Sequence, residues 1–275
     1  GHEGQYEGAY VGEPQKGFQE SIISFDANSL YPNTMITLNL SPETKVGKII
    51  DQTDTDITIR HESGKIYKLP HQKFYDYIKK EKIAVTRAKV LFSQKHKGIM
   101  PEIVDKIYQS RVDIKGKLQD LKIQLSKTSP DSENYSSLKT EVDRLDIKQF
   151  TLKILINTVY GYFGNKYAPI GDSDIARSIT LTGQAVIKQS NKILRDYIMN
   201  NSSEKFQSTD PVIYNDTDSS YISIKSLLES KDIPFHKDGI VTDSAKQEAD
   251  MIEDYLNVEI TKWAKASLNS IDPRF

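Results

Sequence analysis

Two long stretches of helical periodicity, separated by a short turn, set the first limit on the fold. Between Pro101 and about Lys127, Ile103, Ile107, Ile114, Leu118, Leu121 and Leu125 recur at a spacing near 3.6. The run Ser126 to Asn134 reads as a turn. Within it, Ser129-Pro130-Asp131 has the pattern of an N-cap, a proline at the first helical position and an acid in the first turn. A second periodic stretch runs to about Gly161, with Leu138, Val142, Leu145, Leu152, Ile156 and Val159 on its stripe. So short a connection predicts an antiparallel helical hairpin.

The segments on either side have a different rhythm. Ser21 to Asp26 reads as a short buried strand. Val46 to Ile50, Ile57 to Arg60 and Lys65 to Leu69 read as a small meander that turns at Glu62-Ser63-Gly64. Helices are expected over Ile175 to Asn200 and Ala245 to Leu268. Between them, Val212 to Tyr214 and Tyr221 to Ile224 form a β-hairpin around Asn215-Asp216-Thr217-Asp218-Ser219. The order of elements predicts an α+β domain interrupted by a helical insertion. At 275 residues, 37% of them apolar, the chain can bury a substantial core. It has no cysteine, which excludes disulfides and zinc-thiolate sites. No apolar run approaches the ~18 residues of a membrane span. The net charge is −1, so any basic surface must be local.

Four groups of residues carry chemistry. Asp216 and Asp218 crowd two carboxylates at a hairpin tip, an arrangement that a cation relieves; oxygen-only ligands suit Mg²⁺. An ordinary polar turn has the same composition. Asp26 ends an apolar strand, and the segment Ala27-Asn28-Ser29-Leu30-Tyr31-Pro32 after it could offer backbone N–H groups to an anion; a strand end followed by a turn before Pro32 reads equally well. Lys153, Asn157, Tyr160 and Gly161 fall in one row along a helix. A cation and an amide there suit phosphates, and Tyr-Gly makes a flat face for a base pair. A solvated helix face explains the lysine but accounts less well for a helical glycine. Arg111 and Lys115 stand one turn apart on the preceding helix, which by itself is an ordinary charged face. His61, His71, His96 and His236 are scattered without ligand spacing.

Taken together, Asp26 with Ser29-Leu30-Tyr31-Pro32, the row Lys153-Asn157-Tyr160-Gly161, and Asp216-Thr217-Asp218-Ser219 resemble the three polymerase motifs of family B DNA polymerases, in the family's order. Tyr6-Glu7-Gly8-Ala9-Tyr10-Val11 resembles the family's linker between exonuclease and polymerase domains. Asn39-Leu40-Ser41-Pro42-Glu43-Thr44, Lys153-Ile154-Leu155-Ile156-Asn157 and Ile175 to Gln184 are similar to the replicative polymerases of T-even-type bacteriophages. The resemblance covers nearly the whole chain. It implies a palm of antiparallel sheet with packed helices over residues 1–91 and 166–275, interrupted by a helical-hairpin fingers subdomain over 92–165.

The same resemblance implies roles. Asp26, Asp216 and Asp218 would be the catalytic acids. Asp26, Asp218 and the Ala27 carbonyl would hold two Mg²⁺ ions, with Asp216 a weaker partner. The Ser29 and Leu30 backbone would cradle the incoming triphosphate. Tyr31 would pack beneath the sugar and exclude a 2′-hydroxyl. Arg111, Lys115, Lys153 and Asn157 would bind phosphates. Tyr6, Gly8, Tyr160, Gly161, Thr217 and Ser219 would face the DNA and the nascent base pair. The implied activity is template-directed DNA synthesis from dNTPs on primer–template DNA, in the cytoplasm of an infected bacterial host.

The sequence departs from the family at several points. Asn215 stands where the family usually has glycine, and Asn33 and Thr158 replace serines. The exonuclease acids, the last palm strands, a further acid and the thumb have no counterpart. A separate polypeptide supplying the remaining palm and thumb is therefore an expected partner, with a separate exonuclease chain as a further one. Two other readings stand beside this one. The first is a core that binds nucleotide or DNA without turnover. The second is a nucleotide-sugar glycosyltransferase using Asp-x-Asp with a metal, in which the row from Lys153 to Gly161 has no purpose.

Overall fold

The computed structural model describes residues 9–27, 29–165, 171–206 and 210–275. Tyr6, Gly8 and Asn28 lie outside the described residues. In chain order the elements begin with β1 (Ile22–Asp26), α1 (Leu30–Leu38), β2 (Lys45–Gln52), β3 (Asp56–His61), β4 (Ile66–Pro70), α2 (His71–Lys80), β5 (Ile83–Val85) and β6 (Val90–Ser93). Then come the long helices α3 (Ile99–Lys127), α4 (Tyr135–Gly164) and α5 (Ser173–Asn201). The last group is β7 (Val212–Asp216), β8 (Ser219–Ser223), α6 (Lys225–Ser230), β9 (His236–Lys237), β10 (Ile240–Val241) and α7 (Asp243–Leu268). The fold is α+β, and every strand pairing is antiparallel. No described helix is long and apolar enough to cross a membrane.

Three strands in the order β1-β8-β7 form the sheet that carries the acidic turn. Alternation along each strand divides its two faces. Ile23, Phe25 and Ile222 turn toward α5 and α7, where they join Val186, Ile187, Leu194, Ile252, Leu256 and Ile260 in one core. Ser24, Asp26, Asp216, Ser219 and Tyr221 are left on the opposite face. A second sheet, ordered β4-β3-β2-β6-β5, extends the meander by two strands and packs Phe74 and Ile78 of α2 against Ile49, Ile57, Ile59 and Leu91.

The two periodic stretches are α3 and α4, packed antiparallel. Far from the sheets they share a small core of Ile114, Leu118, Val142 and Leu145, with Leu121, Leu125 and Leu152 half-buried against it; nearer the sheets, Val104, Ile156 and Phe163 enter the main core. The expected N-cap at Ser129 is not where α4 begins. Backbone bonds from Ser132 to Ser129 and from Tyr135 to Ser132 hold 129–135 in consecutive turns, and Asn134 takes the N-cap position without a side-chain bond to the helix. Helix α1 decides between the two readings of the stretch after Asp26. Pro32 sits in its first turn, where a missing N–H leaves nothing unsatisfied, so the chain turns helical at Leu30 rather than looping.

The base of the hairpin is clamped by the Asn39-to-Thr44 segment. The Asn39 amide donates to the carbonyls of Ser93 and His96 at 2.6 and 2.8 Å, and its oxygen accepts from Gly98 N–H at 2.8 Å. Ser41 and Glu43 accept from the first N–H groups of α3, at Met100 and Ile99. Burial pushes the Glu43 carboxyl up, but the bonds from Ile99 and Ser41 outweigh it and hold it below the usual carboxylate range. A Cβ on Gly98 would lie 2.8 Å from that of Ser41, so only glycine allows so close an approach.

Candidate active site

A cleft of about 190 Å³ opens where α1, the hairpin and the acidic turn converge. Its walls are Asp26, Ser29, Leu30, Tyr31, Pro32, Arg111, Lys115, Lys153, Ile156, Asn157, Thr217 and Asp218. Ten of the residues singled out in the sequence thus meet in one place, from stretches as far apart as Asp26 and Asp218.

Strand register brings the two acids together. Asp26 pairs with Ser219 across β1 and β8, and Ala27 N–H donates to the Asp218 carbonyl at 2.8 Å. The Ser219 hydroxyl reaches Asp26 Oδ1 at 3.4 Å. Burial and the charge of Asp26 push the Asp218 carboxyl up, with a smaller upward push from Asp216; its own backbone N–H and the Lys153 ammonium pull the other way. Two acids crowded in this way are a ready ligand pair for a divalent cation. Asp216 lies exposed at the far side of the turn, where Thr217 Oγ donates to it at 3.2 Å, and does not line the cleft. Among the described residues no three His, Cys, Asp or Glu side chains come together.

The turn is held from two sides. Tyr10 accepts the Thr217 N–H at 3.0 Å, Val11 bridges Asp216, and Gly12 N–H donates to Asn215 O. Thr217 holds a φ of 50°, uncommon for a β-branched residue. On the opposite face Asn215 and Ser220 point inward to Asn191 of α5. Asn215 Nδ2 donates to Asn191 Oδ1 at 3.1 Å and to Ser220 Oγ at 2.8 Å, while Asn191 Nδ2 donates back to Asn215 Oδ1 at 2.9 Å. All three are buried. Gly12 makes room for Asn215, since a Cβ there would sit 3.3 Å from its oxygen. Asn215 therefore works in place of a glycine by tying the turn to α5. Asn191 gives no signal in the sequence, being one polar residue in a long helix.

The opposite wall is cationic. Arg111 and Lys115 come from α3, Lys153 and Asn157 from α4. Among the described residues none of the three cations forms a salt bridge, although Lys45, Lys48, Lys95, Lys97 and Lys231 do. Arg111 Nε is buried with no hydrogen-bond partner. Between the walls α1 starts at Leu30, preceded by Ser29 in the left-handed region with φ 52° and no side-chain cap, so its first N–H groups face the cleft end of the helix.

Tyr31 also lines the cleft. Its ring lies 4.7 Å from that of Tyr160, and a Cβ on Gly183 of α5 would come within 3.1 Å of it. A glycine inside a helix costs about 1 kcal/mol relative to alanine, and Tyr31 gives the reason for this one. Gly161 faces open space, with nothing within 4 Å of a built Cβ. Ala27 opens onto the neighbouring groove rather than the cleft.

The sequence profile of DNA polymerase family B matches residues 1–238. The chain belongs to DNA polymerase family B. Among its family B relatives, it is 27% identical over 219 residues to a DNA polymerase of Pyrococcus glycovorans, covering 80% of this chain and 21% of that one. It is 26% identical over 250 residues to the DNA-directed DNA polymerase of Escherichia phage RB69, covering 82% and 27%. A DNA polymerase of Choristoneura biennis entomopoxvirus is 30% identical over 247 residues, covering 80% and 24%. The chain thus spans about a quarter of the length of these family B relatives.

Proposed function

We propose that this chain is the palm-and-fingers core of a template-directed DNA polymerase, transferring a nucleotide from a dNTP to a primer 3′-oxygen with loss of pyrophosphate. The observation that carries the reading is the cleft, which sets two crowded carboxylates against three cations without an ion-pair partner among the described residues. A metal-bound triphosphate has the charge pattern to satisfy both walls at once.

The donor set fits Mg²⁺: carboxylate oxygens, no nitrogen or sulfur, and an acid whose ionised form is disfavoured until a cation arrives. Asp26, Asp218 and the Ala27 carbonyl would hold two such ions, with Asp216 in a supporting role. When bound, they would neutralise charge on the attacking and leaving oxygens. The chain's own residues do the rest. The start of α1 at Ser29 and Leu30 presents N–H groups to phosphate oxygens. Arg111, Lys115 and Lys153 take the charge of the departing pyrophosphate, and Asn157 adds a neutral donor. Tyr31 forms the floor beneath the sugar. Tyr160 and Gly161 present a flat edge to the nascent base pair, with Thr217 and Ser219 on the primer side. Tyr6 and Gly8 would reach the DNA from the linker. Residues 1–91 and 166–275 act as the palm, and 92–165 as fingers that close on the nucleotide.

A second polypeptide completes the enzyme in this reading. β1 is an edge strand, and beside it lies a groove of about 640 Å³ lined by Ile23, Phe25, Val186, Leu194, Leu256 and Ile260 among others. An unpaired edge above an apolar groove invites further strands. Primer extension by this chain alone should be weak, and adding a polypeptide with the remaining palm strands and thumb should restore it. Robust processive extension by the chain alone would remove the need for that partner.

Thermal shift separates this from the alternatives. dNTP with Mg²⁺ should raise the melting temperature, and a nucleotide sugar with Mn²⁺ should not. The reverse result would favour a glycosyltransferase. Stabilisation by dNTP without incorporation in the completed assembly would indicate a binding core.

A further inference from the structure

We propose that Asn191, inside α5, is a positioning residue for the acidic turn, and that the metal affinity of the cleft depends on it. That a metal is served rests on the polymerase reading; the grip on the turn rests on the hydrogen bonds alone. Asn191, Asn215 and Ser220 come from α5, β7 and β8. Every polar side-chain atom of the three finds a partner within the group. Beyond the reciprocal amide pair, Ser220 Oγ donates to Asn191 Oδ1 at 2.8 Å while accepting from Asn215, and Asn215 Nδ2 also reaches the Ser219 carbonyl at 3.4 Å.

The cluster sits where it can govern the acids. Asn215 immediately precedes Asp216, Ser220 immediately follows Ser219, and the two are paired across β7 and β8. Asn191 therefore grips both feet of the turn at once. Ser220 is also paired with Phe25 of β1, and one residue further along lies the pair of Asp26 with Ser219 that brings the acids together.

A grip is needed there. Two carboxylates held close repel each other until a cation lies between them. Thr217 keeps a left-handed φ of 50°, which a β-branched residue leaves unless its surroundings hold it. The cluster is also neutral. A lysine or arginine behind the turn would compete with a metal for the same carboxylates, whereas a pair of amides fixes position and adds no charge. All three side chains are buried, so water does not replace a bond that is lost.

Helix α5 makes a firm base for the grip. Ile187 and Leu194, on either side of Asn191 in the sequence, lie in the core beneath the sheet. About two turns earlier, roughly 12 Å along the helix, Gly183 packs on Tyr31. One helix thus sets the acidic turn relative to the floor of the cleft.

Amide hydrogen exchange needs no ligand and reads the grip directly. In Asn191→Ala, exchange at Thr217, Asp218 and Ser219 should quicken about tenfold or more, with α5 and the second sheet unchanged. Calorimetry with dTTP reads the consequence. The Mg²⁺ concentration for half-maximal binding should rise about tenfold or more, the size of effect that partners of a metal ligand bring, while dTTP affinity without Mg²⁺ stays unchanged. Asn215→Gly should act in the same way, and the double variant should be no worse than the more severe single one, because both break one cluster. Ser220→Ala removes a smaller part of the network and should give a smaller shift in the same direction, and it carries the test if Asn191→Ala does not fold. A lower melting temperature with turn exchange and Mg²⁺ requirement unchanged would make the cluster ordinary core packing and overturn the proposal, as would additive effects in the double variant. Quickened exchange in the variant, with no Mg²⁺-dependent dTTP binding by the wild type, counts against the polymerase reading and the metal role that rests on it, and not against the grip. Unchanged exchange with that binding present does the reverse.

Discussion

The two walls of the cleft are built on opposite terms. The carboxylate wall is fixed at every point: β1 and β8 set the register of Asp26, Tyr10 and Val11 brace the turn from one side, and the Asn191–Asn215–Ser220 network anchors it from the other. The cationic wall rides on two helices whose outer core is four buried residues with Leu121, Leu125 and Leu152 packed against them, and its cations form no salt bridge among the described residues. Only the base of that hairpin is clamped, through Asn39, Ser41 and Glu43. In the proposed polymerase reading the acids need a fixed geometry for metal, while the cations need to follow a nucleotide. On that reading, a braced wall facing one clamped only at its base meets both demands.

The sharpest way to break this comparison is at the rigid wall. Asp218→Ala should lower nucleotide incorporation by the completed assembly about 10³-fold or more, since metal charge stabilisation supplies several kcal/mol and each ~1.4 kcal/mol is tenfold. Activity within tenfold of wild type would refute the assignment. At the hinged wall, Lys153→Ala should reduce kcat/KM by roughly 10- to 100-fold, the range of one charged hydrogen bond. Unchanged kcat/KM would make that row a solvated helix face. Tyr31, between the walls, should set sugar selection: Tyr31→Ala should raise ribonucleotide use with metal binding intact, and unchanged discrimination would remove that role.

The smallest effects concern stability, and they carry opposite signs. The Asp218 carboxyl is pushed up, by burial first and Asp26 second. Its ionisation therefore costs stability above that raised value, and Asp218→Asn should raise the metal-free melting temperature at neutral pH. At Asp174, burial pushes up, but hydrogen bonds from Lys48 and Lys45 outweigh it and hold the carboxyl down. That contribution is present above the unfolded value of about 3.9 and is lost as pH falls through the lower folded value. Asp174→Asn should lower stability at neutral pH, where that contribution is present, and flatten the acid limb of the stability profile.

Much of this was legible in the sequence, for reasons that differ by region. The hairpin helices show a stripe because one face of each is wet. Helix α1 shows none because seven of its nine residues are buried, so it has no polar face to mark a period. Motif spacing pointed to Asp26, Asp218, Lys153 and Asn157, and the family resemblance added Arg111 and Lys115; all six line one cleft. Asn215 stood out as a departure, but its partners did not: no local pattern links Asn191 to a turn 24 positions away. Helix α2 and the strands β5 and β6 are short and take their form from packing on the meander.

The central claim is that both walls grip one metal-bound triphosphate. Calorimetric titration of dTTP, with and without Mg²⁺, tests it most directly, using wild type, Asp218→Ala and Lys153→Ala. Binding should depend on Mg²⁺ in the wild type, lose that dependence in Asp218→Ala, and weaken but keep it in Lys153→Ala. Equal binding with and without Mg²⁺ in the wild type, or an affinity indifferent to both substitutions, would contradict the account.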